Sequence, residues 1–167
     1  MIFAAGLGAG MLVFFLIQSF FFAPEVTAVF SPEDGHKIIY LIDSAHKTLD
    51  IEIYVFSSRD VVEAIERARD RGVDIRIIIE KDVISGENDA IFRELSAKGF
   101  RIRYASEYYK LTHSKFMIID GSAVLVGSHN LSNSALYKNR EASVIIRDPV
   151  TAQKFIDAFE TDWRLAG

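Results

Sequence analysis

The sequence predicts an α/β fold in which a mixed β-sheet is sandwiched between helices and preceded by an N-terminal hydrophobic helix. Short apolar runs rich in Ile and Val alternate along the chain with amphipathic segments of helical period, the order typical of strand–helix–strand units. The run from Val73 to Ile79 is almost continuously apolar, as in a strand that helices cover on both faces. A long uncharged stretch precedes all of these elements.

Proline and glycine mark the boundaries of the predicted elements. Ser31-Pro32 is typical of a helix start, as is Asp148-Pro149, and Gly72 follows the end of a charged amphipathic helix. The predicted strands cover residues 27–30, 49–56, 73–79, 100–104 and 141–147, together with a hairpin over 111–130. The predicted helices cover residues 31–47, 60–71, 87–98 and 149–163.

Residues 1–24 have no charged side chain and are rich in Phe, Leu, Ile and Val. The segment is long enough to span a bilayer. It lacks the basic start and the small-residue cleavage site of a secretory signal, so we favour an uncleaved membrane anchor over a cleaved signal segment. We expect residues 25–167 to form one domain that is membrane-anchored or exported, with the periplasm or cell exterior favoured over a cytosolic face.

Composition narrows the classes of function. The chain has 167 residues, half of them apolar, which is room for one domain with a sizeable core. It has no cysteine, which excludes disulfides and thiolate metal sites. The formal net charge is -4, so a surface that binds nucleic acid would have to be local rather than global.

The stretch from Leu111 to Asn130 predicts a β-hairpin. Two apolar runs flank Asp120-Gly121, a pair that favours a two-residue type I′ turn. Such a turn sets a register, which pairs Ile119 with Ser122, Lys115 with Val126 and His113 with Ser128. One face of the hairpin would then gather three polar side chains, His113, Lys115 and Ser128.

The same stretch contains the pattern H-x-K-x4-D-x6-G-S-x-N, carried by His113, Lys115, Asp120, Gly127, Ser128 and Asn130. This pattern resembles the signature of the phospholipase D superfamily, whose members cleave phosphodiesters in lipids or nucleic acids. The signature occurs once, and the chain has no internal repeat. The resemblance is therefore to the small single-motif branch of bacterial endonucleases and mitochondrial cardiolipin hydrolase-like proteins, and it implies a phospholipase D/nuclease-like fold.

The residue types fit metal-independent phosphodiester hydrolysis, for which we expect no metal and no cofactor. A neutral imidazole such as that of His113 can attack phosphorus and form a phosphohistidine. Lys115, Ser128 and Asn130 carry donors for the phosphoryl oxygens. The resemblance assigns an acidic residue downstream of the Gly-Ser-x-Asn element to orient the histidine. Glu141 is the match, although such a residue can also be an ordinary strand-edge charge.

The remaining motif residues receive structural roles. Asp120 lies seven residues beyond His113 along an extended strand, about 23 Å away, so we expect it to shape the turn. Gly127 is expected to be structural, and His129 is not expected to be catalytic. One copy of the motif lacks a proton donor, which predicts a homodimer that shares one active site and supplies a second His113 across the twofold axis.

The sequence leaves the substrate open. Tyr108, Tyr109 and Lys110 precede the motif, and aromatic plus basic side chains suit single-stranded nucleic acid, although they also suit a solvated rim. The leading prediction is an endonuclease that cleaves DNA or RNA. The alternative is a phospholipase D-type hydrolase of an anionic phospholipid such as cardiolipin, held near its substrate by residues 1–24. A membrane-tethered binding protein without turnover is the third possibility, and the intact motif argues against it.

Overall fold

The structure is a computed structural model that describes residues 23–81 and 86–167, and these residues form a seven-stranded sheet with helices on both faces. The predicted hydrophobic helix and anchor fall almost wholly on residues outside the described part of the chain. Within the described ranges, no helix is both long enough and apolar enough to cross a bilayer.

The elements follow the predicted alternation of strands and helices, with one short helix, between the hairpin and the last strand, that was not predicted. The strands are β1 (Glu25–Phe30), β2 (Thr48–Ile53), β3 (Asp74–Ile79), β4 (Arg101–Tyr104), β5 (Lys115–Ile119), β6 (Ala123–Gly127) and β7 (Ala142–Arg147). The described helices are α1 (His36–Asp43), α2 (Arg59–Asp70), α3 (Glu87–Ala97), α4 (Asn133–Tyr137) and α5 (Pro149–Leu165).

The strand order in the sheet is β1-β7-β6-β5-β2-β3-β4. Strands β2, β3 and β4 are parallel, as helical crossovers require. The other pairings, including β2 with β5, are antiparallel. The prediction of a mixed sheet is confirmed.

The sheet buries apolar side chains on both faces. One face packs against helices α1 to α4 through residues that include Ile42, Ile65 and Leu95. The other face packs against α5, where Phe116 and Ile118 join Phe159 among the buried residues. Burial of each such large side chain contributes about 2 kcal/mol relative to exposure. The prediction of helices on both sides of the sheet is confirmed.

Two helix starts differ in how they form. Asp148 caps α5 as predicted, because its carboxylate accepts from Thr151 N at 2.7 Å and Pro149 occupies the first turn. The prediction that the first helix starts at Ser31-Pro32 is wrong. That helix begins only at His36, and the Ser31 hydroxyl bonds to the imidazole of His129 at 2.6 Å.

The β5–β6 hairpin forms, but its register is one residue away from the prediction. Asp120 and Gly121 have φ of 52° and 63°, and Ser122 N donates to Ile119 O at 3.0 Å, as a type I′ turn requires. The ladder then pairs Ile119 with Ala123 instead of Ser122. The carbonyl of Ser122 accepts from Asp148 N at the start of α5, which accounts for the extra residue. The predicted pairings of Lys115 with Val126 and His113 with Ser128 are therefore wrong.

Gly127 ends β6 and lies close against the backbone of β7. A Cβ atom at this position would lie 2.4 Å from Cα of Ser143 and 2.5 Å from the carbonyl oxygen of Ala142. Backbone atoms in a central sheet cannot move aside as a flexible side chain can. This position of the motif accepts only glycine.

Gly127→Ala is expected to lower the free energy of unfolding by about 3 kcal/mol, because the added methyl group overpacks the β6–β7 contact. Gly99→Ala is the matched control. Gly99 has φ of 81° but nothing within 4 Å of an added Cβ, so only backbone strain of about 1 kcal/mol applies. Urea unfolding followed by circular dichroism measures both. Equal losses in the two variants would contradict the steric account.

Candidate active site

Four strand ends meet at one edge of the sheet. Lys115, the first residue of β5, pairs with Ile53, the last residue of β2. Gly127, the last residue of β6, pairs with Ser143 near the start of β7. Because β2 and β6 end at this edge while β5 and β7 begin there, the segments that carry the motif come together. Residues far apart in sequence thus meet at this edge.

His113 precedes β5 and lies against the ring of Tyr54, with the ring centroids 4.5 Å apart and the planes tilted by 56°. Lys115 reaches back to it, since its Nζ donates to the His113 carbonyl at 2.8 Å. The same Nζ lies 3.3 Å from each ring nitrogen of His113. The structure therefore brings the predicted histidine and lysine into contact, with an aromatic ring supporting both.

The environment of Lys115 makes its charged form less favourable than in water. Burial lowers the pKa of the Lys115 ammonium, and the negative charge of Glu141 opposes that shift. The ammonium also lies 5.1 Å from the centre of the Tyr54 ring, a favourable cation–π distance. A bound phosphate anion would stabilise the charged form further, which suits a lysine that binds phosphate.

Asn130 is held by the end of β2. Its side-chain oxygen accepts from Val55 N at 3.3 Å, and the next residue, Leu131, donates its own N–H to Val55 O at 2.9 Å. With its oxygen engaged, the side-chain amide presents its NH₂ group as the donor end.

Ser128 and Glu141 form a pair. The Ser128 hydroxyl donates to Oε2 of Glu141 at 2.5 Å and accepts from Ala142 N at 3.0 Å. Asn139 also donates to Oε1 of Glu141 at 3.1 Å. Among the described residues, the carboxylate of Glu141 is bound by these two side chains and not by His113. The roles of Ser128 in phosphate binding and of Glu141 in orienting His113 stay predictions.

Asp120 lies at the opposite end of the hairpin from His113. Its carboxylate accepts from three consecutive backbone N–H groups, those of His46, Lys47 and Thr48, at 2.7 to 3.2 Å. Burial alone would raise the pKa of Asp120, but these backbone donors outweigh it and the pKa is lowered. The side chain thus fastens the hairpin turn to the start of β2.

The sequence interpretation overlooked two buried polar residues that hold this edge. Asn88 of α3 accepts from Phe56 N at 2.8 Å and donates to the carbonyls of Tyr54 and Glu80 at 2.7 Å each. The Glu80 carboxylate accepts from Thr112 N at 2.7 Å, directly before His113. A charged residue ending the apolar run of β3 was the available signal for Glu80; nothing in the local sequence distinguishes Asn88.

His129 is almost fully buried behind the motif loop, in keeping with the prediction that it is not catalytic. Its ring nitrogens bond to the hydroxyls of Ser31 at 2.6 Å and Ser143 at 2.7 Å. Burial lowers the pKa of His129, so the neutral imidazole is favoured. The imidazole thus ties Ser31, after β1, to Ser143 of β7, and Ser31 N donates to the Glu141 carbonyl at 3.1 Å beside it.

A cleft of about 250 Å³ opens beside the segment that leads to His113. Its lining is mostly polar and comprises Glu80, Lys81, Ala105, Ser106, Glu107, Tyr109 and Lys110. Tyr108 and Tyr109 are 76% and 44% exposed, and their rings meet edge to face at 5.0 Å. In the described ranges, no group of three His, Asp or Glu side chains is arranged to hold a metal ion.

Comparison with known proteins identifies the fold and the family. The family model described as cardiolipin synthase, PLD-like domain, matches residues 38–163. The mitochondrial cardiolipin hydrolase of Xenopus tropicalis is 29% identical over 143 residues, which cover 84% of this chain and 64% of that protein. This chain thus spans less than two thirds of that relative.

Two solved structures are similar. Nuc from Salmonella typhimurium, a phospholipase D family member, superimposes with a TM-score of 0.81 at 29% identity, covering 86% of this chain and 97% of Nuc. NucT from Helicobacter pylori has a TM-score of 0.76 at 22% identity, covering 86% and 98% of the two chains, and supports the fold alone. The motif, the sheet edge that gathers it and these matches agree: the chain belongs to the PLD-like domain family, in the single-motif branch of the phospholipase D superfamily.

Proposed function

We propose that this chain is a metal-independent phosphodiesterase that cleaves DNA or RNA through a phosphohistidine at His113, in an active site shared by two copies. The observation that carries the proposal is the contact between His113 and Lys115, whose Nζ lies 3.3 Å from both ring nitrogens. A nucleophile and a phosphate-binding cation are thereby within reach of a single phosphoryl group.

The proposed reaction has two steps. A ring nitrogen of His113 forms a bond to phosphorus while the bond from phosphorus to the leaving oxygen breaks, and that oxygen takes a proton from the second copy's histidine. Water then breaks the P–N bond and returns a proton to the same histidine. Lys115 and the amide of Asn130 stabilise the phosphoryl oxygens. Removal of one such donor typically lowers the rate by a factor of about a hundred or more.

The positions of the other histidines support a second copy as the source of the proton donor. The sequence has four histidines. His129 is buried between two serines, His46 lies beside Asp120 at the far end of the sheet, and His36 packs against Tyr40 on α1. None of these is placed to protonate the leaving oxygen, so a twofold-related His113 is the proposed donor.

Two features favour nucleic acid over a bilayer lipid. The cleft beside the site is polar, and Lys110 and Tyr109 in its lining suit phosphates and bases, whereas Lys81 there is paired with Glu107 at 3.9 Å and Glu80 adds a second carboxylate. In addition, β1 begins at Glu25 and ends at Phe30, which pairs with Ala142 beside Glu141. A membrane anchor within residues 1–24 would therefore join the domain about 17 Å from the site, at the opposite end of the sheet.

Hydrolysis of an anionic phospholipid is the second candidate, because relatives of this chain are named mitochondrial cardiolipin hydrolase. An anchor within residues 1–24 would hold such a hydrolase at a bilayer, but with its site at the opposite end of the sheet from the anchor. Export to the periplasm or cell exterior stays a prediction from the sequence alone.

The full chain in detergent, assayed in EDTA, is expected to cut single-stranded DNA or RNA. His113→Ala is expected to lower the rate at least a thousandfold, as loss of a covalent nucleophile does. His46→Ala, an exposed histidine away from the site, is the control and should retain full activity. The measurement is product formation on denaturing gels, with cardiolipin vesicles analysed in parallel for phosphatidic acid.

Each other outcome has a distinct meaning. Phosphatidic acid without cut nucleic acid would move the assignment to the lipid hydrolase. Cleavage that requires added metal, or that His113→Ala retains, would contradict the phosphohistidine mechanism.

The shared site has its own test. Co-expression of wild-type and His113→Ala chains in equal amounts, with exchange of subunits, should leave about a quarter of the wild-type activity, because only dimers with two intact histidines turn over. A residual activity of about a half would mean that each chain works alone. Analytical ultracentrifugation of the same samples reports whether dimers form.

A further inference from the structure

Glu52 has a buried carboxyl in the strand next to β5, which begins at Lys115. It lies in β2, between Phe116 of β5 and Ile78 of β3, and is only 3% exposed. The Ser114 hydroxyl, between His113 and Lys115, donates to its Oε1. Oε2 has no hydrogen-bond partner in the described part of the chain. A central strand of a buried sheet is an unfavourable place for an uncompensated charge.

The groups that face Glu52 come from helix α5 and from the segment between β4 and β5. The carboxylate of Asp162, in α5, is near enough to the Glu52 carboxyl to raise its pKa. The Ser114 hydroxyl donates to the Glu52 carboxyl. Tyr109 lies in the segment before His113, near both carboxyl groups. The negative charge of Asp162 is the largest cause that raises the pKa of the Tyr109 phenol, and the charge of Glu52 adds to it. Burial raises the pKa of Glu52 itself to about 7, and Asp162 adds to the shift while Ser114 opposes it.

The cations on this face of the sheet are engaged elsewhere. Arg76 makes a two-pronged contact with Asp50 at 2.7 and 2.8 Å and bonds Glu160 of α5 at 2.7 Å. Arg103 donates to the Trp163 carbonyl at 2.6 Å. Two neighbouring carboxyl groups without a cation cannot both ionise at low cost, which favours the protonated form of Glu52.

We infer that Glu52 is a positioning residue for His113 and Lys115, which in its protonated form holds Ser114 and the start of β5 against helix α5. The inference rests on the proposed roles of His113 and Lys115. The hydrogen bond from Ser114 to Glu52 fixes the backbone position between His113 and Lys115. The proton on Glu52 lets its second oxygen face Asp162 without repulsion, so the segment from Tyr109 to Ser114 stays docked.

The inference separates a glutamine from an apolar residue at this position. Glu52→Gln keeps an acceptor for Ser114 and a donor toward Asp162, and its kcat should stay within about twofold of wild type. Glu52→Leu removes the acceptor, and a misplacement of about 1 Å at His113 should lower kcat by about tenfold or more with little change in KM. Ser114→Ala should resemble Glu52→Leu, and the double variant should lose no more than either single variant.

A second readout is independent of activity. A carboxyl whose folded pKa is raised stabilises the native state fully below its unfolded pKa, and this contribution is lost as pH rises through the folded pKa. The stability of wild type relative to Glu52→Gln should therefore fall between about pH 4.5 and pH 7. Chemical unfolding measured from pH 5 to pH 8 tests this, with Glu63→Gln, an exposed carboxyl on α2, as the control that shows no such trend.

The outcomes distinguish this inference from the proposed function. Loss of activity in His113→Ala, together with wild-type kcat in folded Ser114→Ala and Glu52→Leu, would overturn the positioning role and leave the phosphodiesterase intact. Additive losses in the double variant would overturn it as well. If the wild type is inactive, kcat cannot be compared and the stability measurement decides. A difference in unfolding free energy between wild type and Glu52→Gln that does not change from pH 5 to pH 8 would then overturn the protonated state of Glu52.

Discussion

The structure depends on strand β2, which pairs in parallel with β3 on one side and antiparallel with β5 on the other. Because of this change of direction, the carboxyl end of a parallel α/β unit lies beside the start of an antiparallel meander. The end of β2 supplies Tyr54 to the ring of His113 and Val55 to the amide of Asn130. The motif is one stretch of sequence, but a neighbouring strand gives it its geometry.

The strand ends at this edge would leave backbone groups unpaired, and buried polar side chains bind them. Asn88 bonds three backbone groups from two strand ends, and Glu80 bonds the N–H before His113. On the other side, His129 joins Ser31 to Ser143. An unsatisfied buried polar group costs about 1–3 kcal/mol, so these contacts stabilise the edge and orient it at the same time.

Periodicity and end signals predicted the other elements in order but missed the short helix α4. They also predicted the helices on both faces and caps such as Asp148, because each of these is set by nearby residues. The hairpin register was missed because the carbonyl of Ser122 bonds to Asp148 N, 26 positions later in the chain. Ser31 was misassigned for a similar reason, since its hydroxyl bonds to His129. The motif predicted the contact between His113 and Lys115 because only two positions separate them. The partners of Ser128 and Glu141 depend on the register and on the loop before β7, which local patterns do not encode.

Asp50 and Glu52 are two buried carboxyl groups in β2 that differ in how their charge is compensated. Both carboxyl groups are on the same face of β2 and are almost fully buried. Asp50 makes a two-pronged contact with a guanidinium, whereas Glu52, two residues nearer to the end of β2, accepts from a serine hydroxyl and has no cation partner among the described residues. An apolar residue at position 52 would fit a sheet buried between helices with no desolvation cost. A buried carboxyl at a position where an apolar residue would fit is expected where function, rather than stability, determines the residue. This carboxyl accepts a hydrogen bond from Ser114, between the two side chains for which we infer a rigid support.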